Sequence, residues 1–309
     1  MPLPPELKAL AQRVSNWGRW GDDDQRGTLN LITPDSVRRG VAAVRRGVTF
    51  CLSIPFDENG PQTGVIPGRI NPQHTMIMAN SAFTGDPSDF TTSDDRVEMG
   101  AQAATHWDAL AHVGYEGLLY NNTPDSVVTQ ERGAARLGVD QYGPIVTRGV
   151  LLDIARLLGV EYFEDAHAIT GEDLATAERQ AGVSVESGDI LLVRTGQMEW
   201  LRRGDRQRFS DPSPGIGVGA IEYLHDKEVA AVATDTLVFE VWPPEDPAVL
   251  LPVHMIDLRD LGLVQGQLWE LDELAADCAA DGVHEFLLAA TPLPLTHGLG
   301  GPVAPTATK

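Results

Sequence analysis

The residues with the most evident chemical potential lie within positions 100–117, in the segment GAQAATHWDALAHVGYEG. Gln102, His106 and Asp108 all occupy even positions, so an extended strand would present their side chains on one face. A helical turn beginning after Asp108 would return His112, four residues further on, to the same place. Two imidazoles and a carboxylate are the ligands that a borderline divalent ion such as Zn²⁺ or Mn²⁺ selects. Such an ion makes hydroxide available near neutral pH, so this segment is a candidate catalytic centre.

A second candidate is the loop NWGRWGDDDQRGTLN at positions 16–30, which has neither a helical nor a strand period. Its two tryptophans, Trp17 and Trp20, are either anchors on the body of the protein or walls of a pocket for a flat ligand. We take Trp17, Trp20 and Asn30 as the candidate substrate-binding residues.

Strands and helices must position these residues, and the sequence predicts several of them. Short apolar runs bounded by turn residues predict buried strands, and they are RGVLLDIARLLG, GDILLVRTG, VAAVATDT and EFLLAATPL. Helical segments lie between them, one starting at a Thr170 cap and one ending on Gly282. Nearer the amino terminus, Thr33 and Pro34 open a helix that Gly47 follows, and positions 48–56 predict a further strand. Alternating strands and helices favour an α/β or mixed α+β sheet.

No repeat or linker divides the chain, so we expect one domain over 1–309, with an N-terminal arm at 1–33. Positions 57–98 hold many Pro, Gly, Asn, Asp and Ser residues, and a long excursion of this kind is typical of a lid or an oligomer contact. The tail beyond about residue 303 is expected to fray.

Composition excludes several classes of function. The 309 residues carry 23 Lys and Arg against 44 Asp and Glu, a net charge of −21, which disfavours nucleic acid as a partner. No stretch has the roughly 20 apolar residues of a membrane helix, and the opening MPLPPELKAL does not look like a secretory signal. Two cysteines do not make a disulfide framework. We expect a soluble, cytoplasmic protein with a small-molecule partner and no membrane contact.

Here the chain resembles a known family. The segment THWDALAH, from Thr105 to His112, is similar to the core of the motif HxGTHxDxPxH of the cyclase family, which includes kynurenine formamidase and isatin hydrolase. Gln102 stands in place of the first His, Ala104 in place of the Gly and Leu110 in place of the Pro. The Trp-rich opening, the RTG and TDT segments and a late His add to the resemblance. It suggests a bacterial branch distinct from the formamidases.

The resemblance implies roles for individual residues. His106 and Asp108 match metal ligands, and Asp108 matches the carboxylate that can bridge two ions. His112 matches the catalytic residue that transfers a proton, and His254 matches the histidine of the second metal site. The family also has a late carboxylate ligand, and alignment of the LDEL segment puts Gln267 in its place.

Three further acidic residues need a prediction of their own. Glu270 competes with Gln267 for the late ligand position after a small register shift. Asp235 and Glu240 flank a predicted strand end, where they either orient a metal ligand or are solvated loop charges.

The two glutamines bear on the number of ions. A neutral amide oxygen is a weaker ligand than imidazole or carboxylate, and the replacement of Glu by Gln removes a charge that would offset two dications. We therefore hypothesise one ion, Zn²⁺ or Mn²⁺, held by His106, Asp108 and Gln102 with His254 nearby. Complete loss of the metal is the alternative.

The implied activity is that of a metal-dependent amidohydrolase. Activated water would cleave a carbonyl C–N or C–O bond of a cyclic amide, imide, lactone or N-acyl small molecule, with His112 as the general acid and base. The alternatives are a cyclase or lyase that uses the same site, and a small-molecule binding protein without catalysis. The resemblance also implies a swivelling β/β/α fold with a mixed sheet and flanking helices, and a homodimer or homotetramer.

Overall fold

The computed structural model describes residues 3–309 and is built around one large mixed sheet. The strands in chain order are β1 (Thr49–Cys51), β2 (Gln73–Ala82), β3 (Thr91–Glu98), β4 (His106–Asp108), β5 (Leu118–Leu119), β6 (Thr123–Pro124), β7 (Val128–Thr129), β8 (Gly133–Ala134), β9 (Val146–Asp153), β10 (Ala168–Ile169), β11 (Ile190–Arg194), β12 (Gly215–Ile216), β13 (Ala231–Thr234), β14 (Val264–Gln267), β15 (Glu285–Ala289), β16 (Gly300–Pro302) and β17 (Thr306–Thr308). Nine of them form the large sheet in the spatial order β1-β17-β15-β9-β11-β13-β14-β4-β16.

The centre of the sheet is parallel and its flanks are antiparallel. Strands β9, β11, β13 and β14 run parallel to one another. They are nearly all buried, as expected for apolar runs covered on both faces. On one side β15, β17 and β1 continue the sheet in antiparallel fashion, and on the other side β4 and β16 do so. The four apolar runs predicted as strands are therefore confirmed.

Helices cover the two faces of this sheet. The α-helices are α1 (Pro5–Val14), α2 (Pro34–Ala43), α3 (Ile154–Leu157), α4 (Gly171–Ala181), α5 (Met198–Arg202), α6 (Arg206–Ser210), α7 (Ile221–Asp226), α8 (Pro252–His254) and α9 (Asp272–Asp281). A π-helix, Met255–Leu261, follows α8 directly. Short 3₁₀ helices span Gly27–Leu31, Tyr120–Asn122, Asp125–Val127, Val139–Gln141 and Val218–Ala220.

Capping residues fix the helix starts that the sequence predicts. The Thr33 side chain caps α2, and the Thr170 and Asp173 side chains and backbones bond reciprocally at the start of α4. The end of α2 differs from the prediction, because the helix stops at Ala43 rather than just before Gly47. Val44 already has an extended backbone there, with φ −75° and ψ 108°.

Two apolar cores lie on the two faces of the sheet. One contains Trp107, Trp269 and Tyr142, and the other contains Leu152, Val193 and the helices α4 and α7. This layered α/β arrangement, with a mixed sheet between flanking helices, confirms the predicted fold class. Within residues 3–309, we find no helix whose length and apolar character would let it cross a membrane.

The excursion at 57–98 contains a long hairpin. In the part of the chain that the structure describes, strands β2 and β3 pair only with each other, and most of their residues are exposed. The predicted strand at 48–56 is shorter than expected, with regular pairing only over Thr49–Cys51.

The prediction that the tail frays was wrong. Strand β17 lies between β1 and β15, and Lys309 is 2 % exposed. The Lys309 ammonium lies 2.8 Å from Asp277 and 2.8 Å from Asp281, so ion pairs hold this end against α9.

Candidate functional site

The three-residue strand β4 positions the centre of the site. His106 and Asp108 are two residues apart on this strand, so both side chains project from the same face, as predicted. Both are buried. The intervening Trp107 projects from the other face, where its ring packs edge-on against Trp269 at 4.8 Å and its Nε1 donates to the Ala290 carbonyl. The bulky indole therefore fixes the orientation of its two polar neighbours.

The neighbouring strand β14 brings Gln267 to the same place. Gln267 is the register partner of His106, and paired residues on adjacent strands project from the same face. The Gln267 amide nitrogen donates to Asp108 Oδ2 at 2.6 Å. Glu270 lies away from this centre and pairs with Arg202 at 3.1 Å. The structure therefore places Gln267, and not Glu270, beside Asp108.

Turns rather than regular elements carry Gln102 and His112. Gln102 precedes β4 in a turn, so the expected extended strand from position 102 was wrong. Its amide nitrogen nevertheless donates to Asp108 Oδ1. The expected helical turn is a single tight turn, in which His112 N donates to the Ala109 carbonyl at 2.8 Å. This turn returns His112 Nε2 to within 3.9 Å of Asp108 Oδ1.

His254 reaches the cluster from the other end of the sequence. It lies in α8, and its Nε2 is 4.0 Å from Asp108 Oδ2. Its Nδ1 is 2.5 Å from Glu240 Oε1. The same carboxylate accepts hydrogen bonds from the backbone N–H groups of Val253 and His254. Glu240 is 2 % exposed, so it is a buried partner of His254 and not a solvated loop charge.

Hydrogen-bond roles show where lone pairs point. The Ala104 carbonyl accepts from His106 Nδ1 at 2.7 Å, which leaves His106 Nε2 with a free lone pair. That buried nitrogen has no hydrogen-bond partner among residues 3–309 and lies 3.5 Å from Asp108 Oδ1. Glu240 likewise accepts a hydrogen bond from Nδ1 of His254, which leaves the lone pair of the neutral imidazole on Nε2. Two imidazole nitrogens and a carboxylate therefore face one another.

The orientation of the Gln102 amide follows from its partners. Arg69 has only N–H donors, and its Nη2 donates to Gln102 Oε1 at 3.3 Å. The other end of the amide, the NH₂ group, therefore faces the Asp108 carboxylate. An amide nitrogen has no lone pair to offer an ion. Both glutamines thus present N–H groups to Asp108, and their predicted role as metal ligands stays a prediction.

Burial and neighbouring charges shift the pKa values of the cluster in different directions. Burial would raise the pKa of Asp108, but His112, His106 and His254 more than offset it and hold the pKa well below its usual range. Burial lowers the pKa of His112, although Asp108 opposes this effect. Burial also lowers the pKa of His254, but the hydrogen bond to Glu240 and the negative charges of Glu240 and Asp108 together outweigh it, so the net pKa is raised. A neutral His112 beside an ionised Asp108 is in the protonation state that a general base requires, with a carboxylate nearby to stabilise its protonated form.

The predicted substrate-binding residues lie in the amino-terminal loop. Trp17 Nε1 donates to the Arg259 carbonyl at 2.6 Å, and Trp17 lines a cavity of about 540 Å³. Trp20 lies under the Arg19 guanidinium. The Asn30 amide donates within its own loop, to Asp24 at 2.7 Å. The contacts of these three side chains are with this loop and its supports, and their role in binding substrate stays a prediction.

Two residues around the cluster were not predicted as part of the site, and a third was predicted only as one of two alternatives. Glu240 is predicted either to orient a metal ligand or to be a solvated loop charge, and its buried contact with His254 excludes the solvated alternative. Tyr142 donates its hydroxyl to the backbone carbonyl of Asp108 at 2.6 Å, and Arg69 reaches Gln102 from the excursion. No local pattern marks Tyr142 or Arg69, because both contacts join segments more than thirty residues apart.

The donor set bears on whether this cluster suits a metal ion. Within residues 3–309, no three His, Cys, Asp or Glu side chains form a ready-made ion site. The chemistry of the donors fits one ion even so, because His106 Nε2 is an orphaned buried lone pair directed toward Asp108, with His254 Nε2 on the other side of that carboxylate. Two nitrogens and a carboxylate oxygen suit Zn²⁺ or Mn²⁺. The two amide groups fit a second ion poorly.

Comparisons with solved structures agree with this architecture. A crystal structure described as a novel cyclase is 39 % identical, with a TM-score of 0.88, and the match covers 97 % of this chain and 99 % of that one. Isatin hydrolase A from Labrenzia aggregata, bound to benzyl benzoate, is 21 % identical with a TM-score of 0.64, over 88 % of this chain and 97 % of the other. A protein described as a predicted metal-dependent hydrolase from Bacillus stearothermophilus is 18 % identical with a TM-score of 0.52, over 85 % and 98 %. The last two likenesses concern the fold alone.

Comparisons of the sequence itself identify the family of the chain. No match was found among proteins of curated function. The family model Cyclase, described as "Putative cyclase", matches residues 50–241, which is more than half of the chain and includes the segment from Gln102 to His112. Together with the 39 % identity to a solved cyclase over nearly the whole length, this match is decisive. The chain belongs to the cyclase family.

Proposed function

We propose that this protein is a metal-dependent hydrolase that cleaves a carbonyl C–N or C–O bond of a cyclic amide, imide, lactone or N-acyl small molecule. The observation that carries the proposal is the cluster around Asp108, where His106 Nε2 is a buried lone pair without a partner and His112 lies 3.9 Å from the carboxylate. The isatin hydrolase fold and the metal-dependent hydrolase fold among the solved structures support the same class of reaction.

A single divalent ion, Zn²⁺ or Mn²⁺, would be held by His106, Asp108 and His254. When bound, such an ion would supply Lewis-acid chemistry that polarises a carbonyl and makes water more acidic. The chain's own residues supply the remaining functions. Glu240 holds His254 in the tautomer whose Nε2 carries the lone pair, and Trp107 fixes the strand that carries His106 and Asp108.

His112 would move the proton. Burial lowers the pKa of His112, so the imidazole is neutral near pH 7 and its Nε2 can accept a proton from the attacking water. Asp108, 3.9 Å away, stabilises the imidazolium that results. The same nitrogen then delivers the proton to the leaving nitrogen or oxygen, which completes hydrolysis.

The test combines ion content, isotope incorporation and one variant. Protein purified without chelator is assayed for metal and for turnover of a panel of cyclic imides, lactones and N-acyl amines in H₂¹⁸O. We expect one ion per chain and ¹⁸O in the carboxylate product. His112→Ala should lower turnover by about 10²–10⁴-fold while the ion content persists. The control His225→Ala, on the surface helix α7, should leave both unchanged.

Other results would favour a different reaction or contradict part of the proposal. Product without ¹⁸O would favour a cyclase or lyase, and near-normal turnover of His112→Ala would remove His112 from the mechanism. Protein that binds neither zinc nor manganese would refute metal dependence.

We also propose a homodimer or homotetramer in which the β2–β3 hairpin contacts a second copy. The support is that this hairpin pairs with no other strand of residues 3–309 and exposes several large apolar side chains, namely Met76, Ile77, Phe83, Phe90 and Val97. The proposed location is the cytoplasm, where the exposed Cys51 thiol would stay reduced. Fractionation of cells that express the protein would test the location.

A further inference from the structure

Arg69 is a cationic side chain that the excursion delivers to the catalytic cluster. The backbone of this segment is joined to the segment before β4 by a hydrogen bond from Gly100 N to the Ile70 carbonyl, at 3.1 Å. The Arg69 side chain then passes directly over Gly100, where a Cβ atom would lie only 2.9 Å from Arg69 Cγ. Its guanidinium reaches Gln102, whose amide in turn reaches Asp108. One amide group therefore separates Arg69 from the centre of the site.

The guanidinium of Arg69 has no carboxylate partner. Within residues 3–309, no Asp or Glu oxygen lies within 4 Å of it, and its side chain makes one hydrogen bond, to Gln102 at 3.3 Å. Other shielded arginines are paired, since Arg148 lies 2.6 Å from Asp189 and Arg194 lies 2.9 Å from Asp153.

An unpaired cation in a half-buried place is unfavourable unless something neutralises it. A guanidinium has five N–H donors in a fork that matches a carboxylate. Arg69 uses one of them on the protein, so most of its donors remain available for an anion. A dianion such as phosphate fits less well, because the Asp108 carboxylate is close by and the protein carries a net charge of −21.

We propose that Arg69 binds a carboxylate of the substrate, so that this site selects small acidic molecules over neutral ones of the same shape. Because a single amide separates Arg69 from Asp108, the carboxylate would lie on the part of the molecule next to the bond that is cleaved. The proposal rests on the proposed function for the identity of that bond. The recognition of the carboxylate itself depends only on the geometry around Arg69.

Binding measured without turnover tests the proposal. Two pairs of probes have matched shapes and differ in charge: benzoate with benzamide, and butyrate with butyramide. Each is titrated calorimetrically into the full-length wild type, Arg69→Gln, Arg69→Lys and the control Arg132→Gln, which removes an exposed arginine on a distant turn. Circular dichroism establishes that each variant is folded.

We expect the wild type and Arg132→Gln to prefer at least one carboxylate over its amide by about tenfold or more. Arg69→Gln should lose this preference, and Arg69→Lys should keep part of it, since an ammonium retains the charge but not the fork. The proposal is overturned if the wild type binds neither carboxylate, if it shows no preference, or if Arg69→Gln retains the full preference. If Arg69→Gln does not fold, Arg69→Lys takes its place in the test. A full carboxylate preference in Arg69→Lys would then refute recognition by the forked donors of the guanidinium.

These outcomes are separate from those of the proposed function. An enzyme that hydrolyses only neutral compounds, with Arg69→Gln as active as the wild type, would keep the hydrolase and refute the acid specificity. A carboxylate preference that depends on Arg69, in a protein without hydrolase activity, would support the acid specificity and refute the hydrolase.

Discussion

Glu240 shows how one buried carboxylate can define the chemistry of a histidine. Its two oxygens accept from His254 Nδ1 and from the backbone N–H groups of Val253 and His254. Three donors on one carboxylate fix the start of α8 and the ring of His254 together. The ring nitrogen that faces Asp108 is therefore the one with the lone pair, which is the usual arrangement for a histidine that binds a metal.

Glu240→Gln should weaken both ion binding and the stability of the fold. The amide can still accept from His254 through its oxygen, but its NH₂ would face the Val253 N–H and the negative charge is lost. We expect the affinity for Mn²⁺ or Zn²⁺ to fall by about 10–100-fold. The free energy of unfolding should fall by about 1–3 kcal/mol, measured by urea titration.

The matched control for this change is Glu245→Gln. Glu245 also accepts a backbone hydrogen bond, from Val218 at 2.8 Å, but it is exposed and has no contact with His254. Its substitution should leave ion affinity unchanged. Equal ion affinity in Glu240→Gln and the wild type, with an unchanged His254 tautomer by ¹⁵N NMR, would contradict the role of Glu240.

Asp235 links pH to stability through a buried carboxylate. Its oxygens accept from Thr195 N, Thr195 Oγ1 and Gly196 N, which ties the end of β13 to the end of β11. Burial raises the pKa of Asp235 to about 7, although Arg194 and the Thr195 hydrogen bond lower it. In the unfolded chain the pKa is near 3.8. Between these values the folded protein holds a proton that the unfolded chain has lost.

The sign of the pH effect follows from that difference. The contribution of Asp235 to stability is fully present below about pH 4 and is lost as pH rises toward 7, by up to about 1.4 kcal/mol per pH unit. We expect the free energy of unfolding of Asp235→Asn to depend less steeply on pH between 5 and 7 than that of the wild type. Urea titrations at several pH values measure both slopes, and Asp23→Asn, at an exposed position, corrects for one lost charge. Parallel slopes in wild type and Asp235→Asn would show that Asp235 does not titrate in this range.

The sequence predicted the parts of the site whose residues are close together along the chain, and it missed contacts between distant segments. The alternation of positions 106 and 108 on a strand is a local rule, and it placed His106 and Asp108 on one face correctly. The position of Gln267 came from the family resemblance, and pairing with His106 explains it physically. Arg69 and Tyr142 reach the cluster through tertiary contacts that no local pattern encodes.

At the scale of elements, the site depends on close contact between β4 and β14. Gly266 on β14 is the register partner of Trp107 on β4. A Cβ at position 266 would lie 2.7 Å from the Trp107 ring and 2.8 Å from Ala233 Cβ and Trp269 Nε1. The absence of a side chain therefore lets two indoles pack beneath the strand whose opposite face carries the site.

Gly266→Ala should separate these strands. Relief of the overlap requires β14 to move or the indoles to leave their positions, and overpacking of this kind costs about 1–3 kcal/mol. Urea titration measures the loss, and the control Gly219→Ala should be nearly neutral, since its nearest neighbour would be Thr170 at 3.8 Å. The hydrogen bond from Gln267 to Asp108 should lengthen in a crystal structure of the variant. Wild-type stability in Gly266→Ala would show that the packing is looser than these distances indicate.

The strands were predicted where their own residues determine them and missed where distant partners do. The runs that became β9, β11, β13 and β15 are apolar and bounded by turns, so local composition suffices. The segment that became β17 is only TAT within a tail of Gly and Pro. It forms a strand because β1 and β15 bond to it on both sides, with Lys309 paired to acids of α9. Tertiary pairing outweighs weak local propensity there.

At the scale of the whole molecule, the hairpin of β2 and β3 stands apart from the sheet that forms the rest of the fold. A two-stranded hairpin is marginally stable in water unless something covers one of its faces. Within the described chain β2 and β3 bond only to each other, and Met76, Ile77 and Val97 are each about half exposed. Two chains that each carry a charge of −21 repel at long range, so an interface between copies has to be apolar where they meet.

Ile77→Asp should therefore reduce the mass of the particle in solution. Ile77 is 57 % exposed on the hairpin, and a carboxylate there would have to be buried between copies without a partner. We expect the wild type to sediment as a dimer or tetramer and Ile77→Asp to shift toward the monomer, with its fold unchanged by circular dichroism. The matched control is Val41→Asp on α2, where the valine is 56 % exposed but isolated from the hairpin, and it should keep the wild-type mass. A wild type that is monomeric at micromolar concentration, or an Ile77→Asp variant of full oligomeric mass, would show that the hairpin does not join copies.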